Sequence, residues 1–285
     1  MTHEPVPSSP PVWPPEAYGP PAYSSPPPQW PPYGYAPPGP RTHALDEQVR
    51  TGLAVPGGWA GPAAAQVFIP LGAMAVLVLA IGLLQLPTTP DAGAVYTVLA
   101  GLLGGLLVWL TSRGLARRHG GWERAFGFHL PRLRDLPSAL GWFGIQIGAR
   151  FSLAIALAVL VPSLADSHGG NVGELEGVSA LGVAMSLVAA VVIAPVMEEL
   201  AFGGVLLRGL MRRMRFWPAA LLSSLLFTVL HVPGAAEPAA IPLLVIMILL
   251  FGVLQCLLVR RTGRLGPPIA VHAAMNALVM GLAFA

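Results

Sequence analysis

Seven apolar runs succeed one another along this chain, at about 66–86, 94–112, 139–162, 178–207, 218–232, 241–259 and 268–284, each set off by a short polar connection. A helix of about 20 apolar residues crosses a hydrocarbon core roughly 30 Å thick. Only a helix or a closed barrel satisfies its backbone polar groups there. The pattern predicts an all-α, polytopic membrane helix bundle of about seven transmembrane helices. The run at 218–232 is short, so its outer end is expected to be re-entrant or shielded by neighbours.

Ahead of the first run the composition changes. Residues 1–40 hold 16 of the 31 prolines, interleaved with Trp13, Tyr18, Tyr23, Trp30, Tyr33 and Tyr35. Proline fixes φ and removes backbone donors, so polyproline II or disorder is expected. The plain reading is a disordered cytoplasmic tail; the functional one is a ligand for a proline-recognising partner. Residues 41–65 continue as a linker, with a helical stretch around 44–53. The expected organisation is a proline-rich tail and linker over 1–65 and a transmembrane domain over 66–285.

Charge adds an orientation. All 16 basic residues are arginine, and they gather in alternate connections. Arg113, Arg117, Arg118, Arg124, Arg132 and Arg134 follow the second run; Arg208, Arg212, Arg213 and Arg215 follow the fourth; Arg260, Arg261 and Arg264 follow the sixth. The other connections carry Asp91, then Asp166, Glu174 and Glu176, then Glu237. By the positive-inside rule the arginine connections and the N-terminal tail are cytoplasmic, and the C-terminus is outside. The same placement explains a pI near 9.5 without nucleic acid as a partner. With 54% hydrophobic and 10% charged residues, and a mean hydropathy of +0.67, a soluble globular domain is excluded. The single cysteine, Cys256, rules out an intrachain disulfide. Residues 1–10 lack the basic and apolar regions of a signal peptide, so targeting is expected from the membrane helices.

The candidate chemistry lies in the fourth run, where residues 195–208 read PVMEELAFGGVLLR. Glu198 and Glu199 are carboxylates inside an apolar helix, where ionisable groups are costly and face a protein interior or a watery cavity. On an α-helix they diverge by about 100°, so one is expected to act while the other orients it or shares its proton. His231 and His272 are the only histidines in apolar runs, and Asn276 is the only asparagine in one. Phe227 and His231 are at i and i+4, as are His272 and Asn276, so each pair shares a helix face. Each residue alone also fits a structural role, a bond bridging two helices or a proton relay. At about 1.5 Å per residue, Glu198 lies about 13 Å, Asn276 about 12 Å, His272 about 6 Å and His231 about 19 Å from the cytoplasmic ends of their helices. That convergence suits a water-activating site with a base, an orienting group and oxyanion donors.

The order of EE, then FxxxH, then HxxxN on successive membrane helices resembles the CPBP family of intramembrane proteases, also called the ABI or type II CAAX prenyl protease family. The matching residues are Glu198–Glu199, Phe227–His231 and His272–Asn276, and the similarity covers about residues 139–285. The resemblance implies hydrolysis of a peptide bond within the membrane. Glu198 would activate water with help from His231, while His272 and Asn276 would support the oxyanion. It also implies membrane lipids and a membrane-embedded peptide or protein as partners, of unstated sequence. A divalent metal such as zinc would be held by Glu198, His231 and His272; a glutamate-activated water without metal fits equally well, and HExxH is absent.

One departure stands out. The family pattern EExxxR has Gly203 at its arginine position here. Arg208 lies one and a half turns further on, in the expected headgroup region, and is no substitute by spacing. This favours, as the alternative function, a non-catalytic member acting as a membrane scaffold or a binding or immunity protein. A proton-coupled transporter would carry internal repeats, and none is visible. Arg150, the only basic residue well inside an apolar run, comes out about 16 Å deep. It is expected to pair with Glu198 or Glu199 in place of the missing arginine, the alternative being that it snorkels to the interface.

The arginine asymmetry makes a direct prediction. A reporter that works only outside the cytoplasm, fused after Ala285, will be active, and one that works only in the cytoplasm will be silent. The reverse pattern would overturn the orientation.

Overall fold

The structure is a computed structural model that describes residues 43–50, 83–161, 177–232 and 238–283, with scattered positions from 72 to 81. The proline-rich segment 1–40, the linker 51–65 and most of the first apolar run lie outside the described residues. Within them the chain is helical and has no strand. The helices are α1 (Ala44–Arg50), α2 (Pro90–Arg118), α3 (Trp122–Phe126), α4 (Leu136–Leu160), α5 (Ala180–Met211), α6 (Phe216–His231), α7 (Ile241–Thr262) and α8 (Gly266–Ala283).

Six of these fall on the last six apolar runs. Five of the six (α2, α4, α5, α7 and α8) are long and apolar enough to cross a membrane. The sixth, α6, has 16 residues and so a length of about 24 Å, which leaves it short of the hydrocarbon thickness. The chain is a multi-pass membrane protein.

Local sequence sets the ends. Pro90 opens α2, and the Thr89 hydroxyl accepts from the Ala92 N–H at 3.3 Å, filling one orphan donor of the first turn. Ser179 caps α5 in the same way, accepting from Gly182 at 3.2 Å. The Asp91 carboxylate then accepts from the Ser179 N–H at 2.8 Å and ties the two starts together. Gly263, with φ of 66°, ends α7 in the left-handed conformation that a side chain would strain.

The fold is arranged around α5, which packs against α2, α6, α7 and α8. It is not a uniform α-helix. Ala189–Ile193 and Glu199–Leu206 are π-helical, and the second stretch is buried along its whole length. Wide turns of this kind are uncommon and are frequent at functional sites.

The three arginine-bearing connections meet at one end of the bundle. Leu265 N–H donates to the Gly127 carbonyl at 2.8 Å, Arg264 pairs with the buried Asp135 at 2.9 Å, and the Arg260 guanidinium lies 4.3 Å over the Phe216 ring. The short helix α1 docks here too. Leu45 is fully buried, and Asp46 accepts from Arg260 at 2.8 and 3.0 Å. Residues 44–50 of the expected linker are therefore a packed helix.

Arg208 departs from expectation. It is 1% exposed rather than in a headgroup layer, and it donates to the carbonyls of Gly203 at 3.2 Å and Gly263 at 2.9 Å and to Gln48 at 3.4 Å. The cause is the packing of α1 and the α7–α8 connection over the end of α5, which encloses the side chain and supplies carbonyl acceptors.

The start of α8 is fitted tightly. A Cβ on Gly266 would overlap the ring of His129 and the carboxylate of Asp135, both nearly inaccessible. Gly266→Ala is therefore expected to cost about 1–3 kcal/mol through overpacking, read as a lowered melting temperature of the full chain in detergent. An unchanged melting temperature would show that this junction yields freely.

Candidate active site

The acidic part of the site is carried by α5 and most of its aromatic part by α6 and α7, and α8 carries the base that joins them. His272, 2% exposed, enters between the two glutamates. Its Nδ1 lies 3.0 Å from Glu199 Oε1 and its Nε2 lies 3.5 Å from Glu198 Oε2. One imidazole thus meets both carboxylates, one on each ring nitrogen. Adjacent carboxylates do converge on one centre here, because the π-helical stretch begins at Glu199 and the wider turn reduces their divergence. Their surroundings differ: the Glu199 side chain is 6% exposed and that of Glu198 29%.

The imidazole is held by aromatic rings. Phe251 packs edge-on at 4.7 Å and Phe227 at 6.1 Å between centroids. Phe227 also contacts Phe202 at 5.2 Å and His231 at 4.4 Å. It is the hub of a small aromatic cluster from α5, α6 and α7. Beside this cluster is a small cleft, bordered by Glu198, Glu199, Gly203, Ser223, Ser224 and Cys256 among others.

His231 stands apart from the carboxylates. Its Nδ1 is 2.8 Å from the Phe227 carbonyl, which can only accept, so Nδ1 carries the proton and Nε2 is the lone-pair nitrogen of the neutral ring. Among the described residues no hydrogen bond or ion pair joins His231 to Glu198. The histidine on both glutamates is His272.

Asn276 bonds to α5. Its Nδ2 donates to the Ala190 carbonyl at 2.7 Å. That carbonyl has lost both usual donors: the Ala194 N–H reaches Ala189 instead, and residue 195 is a proline with no N–H. Asn276 supplies the missing donor and pins α8 to the π-helical turn ahead of the glutamates.

Arg150 does not pair with either glutamate. Its guanidinium donates to the Met247 carbonyl at 3.3 Å and lies 5.2 Å from the centroid of the Phe251 ring. The reason is register. The residue of α4 at the level of the carboxylates is Gln146, one turn earlier, whose Nε2 is 3.5 Å from Gln255 Oε1. Gln255 Nε2 in turn donates to Glu199 Oε1 at 2.9 Å and to the Pro268 carbonyl at 3.0 Å. Sequence reasoning missed both amides, although they are the only glutamines in the interior of apolar runs. The Gly203 position is closed to a larger side chain without movement, since a Cβ there would lie 3.1 Å from Val259 and 3.3 Å from Glu199 Oε2.

Residues 180–278 match the family described as type II CAAX prenyl endopeptidase Rce1-like. Over this stretch the chain is similar to that family. The matched segment runs from the start of α5 into α8, and it takes in Glu198, Glu199, Phe227, His231, His272 and Asn276. Arg150 and Gln146 on α4 lie outside it. No curated protein and no solved structure matches the chain significantly.

A divalent metal held by Glu198, His231 and His272 is one expectation of the sequence resemblance. Among the described residues no group of three His, Cys, Asp or Glu side chains is arranged to hold one. Glu198 and His272 are together but His231 is turned to its own helix, so the set does not fit a metal as it stands.

Asn276→Ala would leave the Ala190 carbonyl without a donor in a part-buried seam. A loss of about 1–3 kcal/mol is expected, measurable by denaturation in detergent; unchanged stability would mean that another donor takes its place.

Proposed function

We propose that this chain is an intramembrane endopeptidase in which Glu198 activates the water that attacks a peptide carbonyl. The observation that carries the reading is His272 set between a buried carboxylate and a more exposed one beside the cleft. Glu199 orients the imidazole. Glu198, at the edge of the cleft, is the carboxylate a water can reach. The Rce1-like match of residues 180–278 supports the same chemistry at the level of the family.

Glu198 takes a proton from water as the water oxygen bonds to the carbonyl carbon, and the carbonyl oxygen becomes an oxyanion. The proton then passes to the amide nitrogen as the C–N bond breaks, with His272 Nε2 as the neighbouring group able to share it. Asn276 keeps one N–H beyond its bond to Ala190, the donor that the family resemblance assigns to the oxyanion. His231 keeps Nε2 as an acceptor on the far side of Phe227. The substrate in this reading is a membrane-embedded peptide or protein, the arginine-rich end faces the cytoplasm, and the proline-rich tail is free to bind a proline-recognising partner.

A specific observation favours a second reading. Gly203 leaves the motif without its arginine, and the two nearest candidates, Arg150 and Arg208, are engaged with carbonyls. A member without activity would keep the cleft as a binding site for a membrane segment.

Cleavage of membrane peptides by the full chain in vesicles separates the two. Wild type is expected to cleave, and Glu198→Gln to lose about 10²–10⁴-fold in kcat while folding normally, since the amide cannot take the water's proton. Cleavage retained in Glu198→Gln would reject Glu198 as the base. Binding without cleavage by the wild type would support the second reading.

A further inference from the structure

Two buried amides lie behind the glutamates, and nothing in the proposed chemistry yet uses them. Gln255 on α7 is 4% exposed and Gln146 on α4 is fully buried. Burying an amide without partners costs about 1–3 kcal/mol, so a pair of them at the centre of an apolar bundle calls for a reason. We infer that Gln255, held by Gln146, is a positioning residue that fixes the place of the Glu199 carboxylate and the tautomer of His272. This rests on the reading of the site as catalytic.

The chemistry of the partners assigns the amide. The Pro268 carbonyl can only accept, so the group 3.0 Å from it is the Gln255 nitrogen. The other N–H of that nitrogen then points to Glu199 Oε1 at 2.9 Å. Gln255 Oε1 is left as an acceptor and faces Gln146 Nε2 at 3.5 Å. This in turn fixes Gln146, since turning it round would set oxygen against oxygen. The cost is visible: Gln146 Oε1 is buried without a hydrogen-bond partner.

Glu199 Oε1 therefore faces two nitrogens, Gln255 Nε2 and His272 Nδ1. Oε1 accepts the Gln255 N–H and is set as an acceptor toward the imidazole, so Nδ1 meets it as the donor. His272 then holds its proton on Nδ1, and the neutral ring turns the lone pair of Nε2 to Glu198 Oε2, 3.5 Å away. A proton taken by Glu198 has an acceptor beside it; with the other tautomer it would meet an N–H. Glu199 has no arginine to do this work. Gly203 brings no side chain, Arg208 donates to the carbonyls of Gly203 and Gly263, and Arg150 donates to that of Met247. Among the described residues the donors on Glu199 are the neutral amide and the imidazole.

The test reads the imidazole directly. The full chain in detergent, labelled with nitrogen-15 histidine, gives a His272 signal identified by its loss in His272→Ala. In wild type the expected pattern is a protonated Nδ1 and an unprotonated Nε2. Gln255→Leu should shift the ring toward the other tautomer or a mixture, and lower kcat about 10–100-fold with KM little changed. Gln146→Leu, which leaves Gln255 in place but free to rotate, should move the signal the same way by less, and it serves if Gln255→Leu does not fold. An unchanged His272 pattern in the folded variants would overturn the inference. If the wild type cleaves nothing, the proposed activity fails while the nitrogen-15 readings still decide the role of Gln255.

Discussion

Placing two carboxylates side by side in an apolar helix is the constraint to which the rest of this bundle responds. Each would be costly alone, and together they repel. The structure meets this with one imidazole, which presents a nitrogen to each glutamate, and with a neutral amide on the more buried of the two. Among the described residues no arginine takes part. Four elements are held in register by that solution: α5 supplies the acids, α8 the histidine, α7 the glutamine and α6 the aromatic hub against which the ring rests. The start of α8 is fixed in turn by Asp135, Arg264 and His129 at the arginine-rich end.

The irregular backbone of α5 belongs to the same solution. Pro195 removes a donor just ahead of the glutamates, the turn before it widens, and the carbonyl left over at Ala190 is satisfied by Asn276. In the hydrocarbon region an orphaned carbonyl has no water to turn to. The asparagine that sequence spacing places near the site thus has a structural bond as well as whatever chemistry its second N–H performs.

The helical class and six of the seven expected helices were legible in the sequence because hydrophobic length is a strong signal. The identities of Glu198, Glu199, His272 and Phe227 as neighbours were legible too, since polar and aromatic residues at i, i+4 spacing in apolar runs have few places to go. What spacing could not give was rotation about each helix axis. Depth alone put Arg150 level with the glutamates, yet its face of α4 turns to Met247 and Phe251, and Gln146 takes the inward position. Depth likewise grouped His231 with Glu198, while the ring folds back on the Phe227 carbonyl. Arg208 was misplaced for a related reason: the docking of α1, which buries it, comes from a segment with no membrane signal of its own.

Whether Glu199 works through His272 can be measured by a double-variant cycle on cleavage of a membrane peptide by the full chain. Glu199→Gln, His272→Ala and the two combined are compared by kcat/KM. If the carboxylate acts by orienting the imidazole, the double variant will be about as slow as His272→Ala alone, because removing the ring leaves Glu199 nothing to orient. Losses that multiply, with the double variant slower by the product of the two single effects, would contradict the arrangement and leave the two side chains as independent contributors.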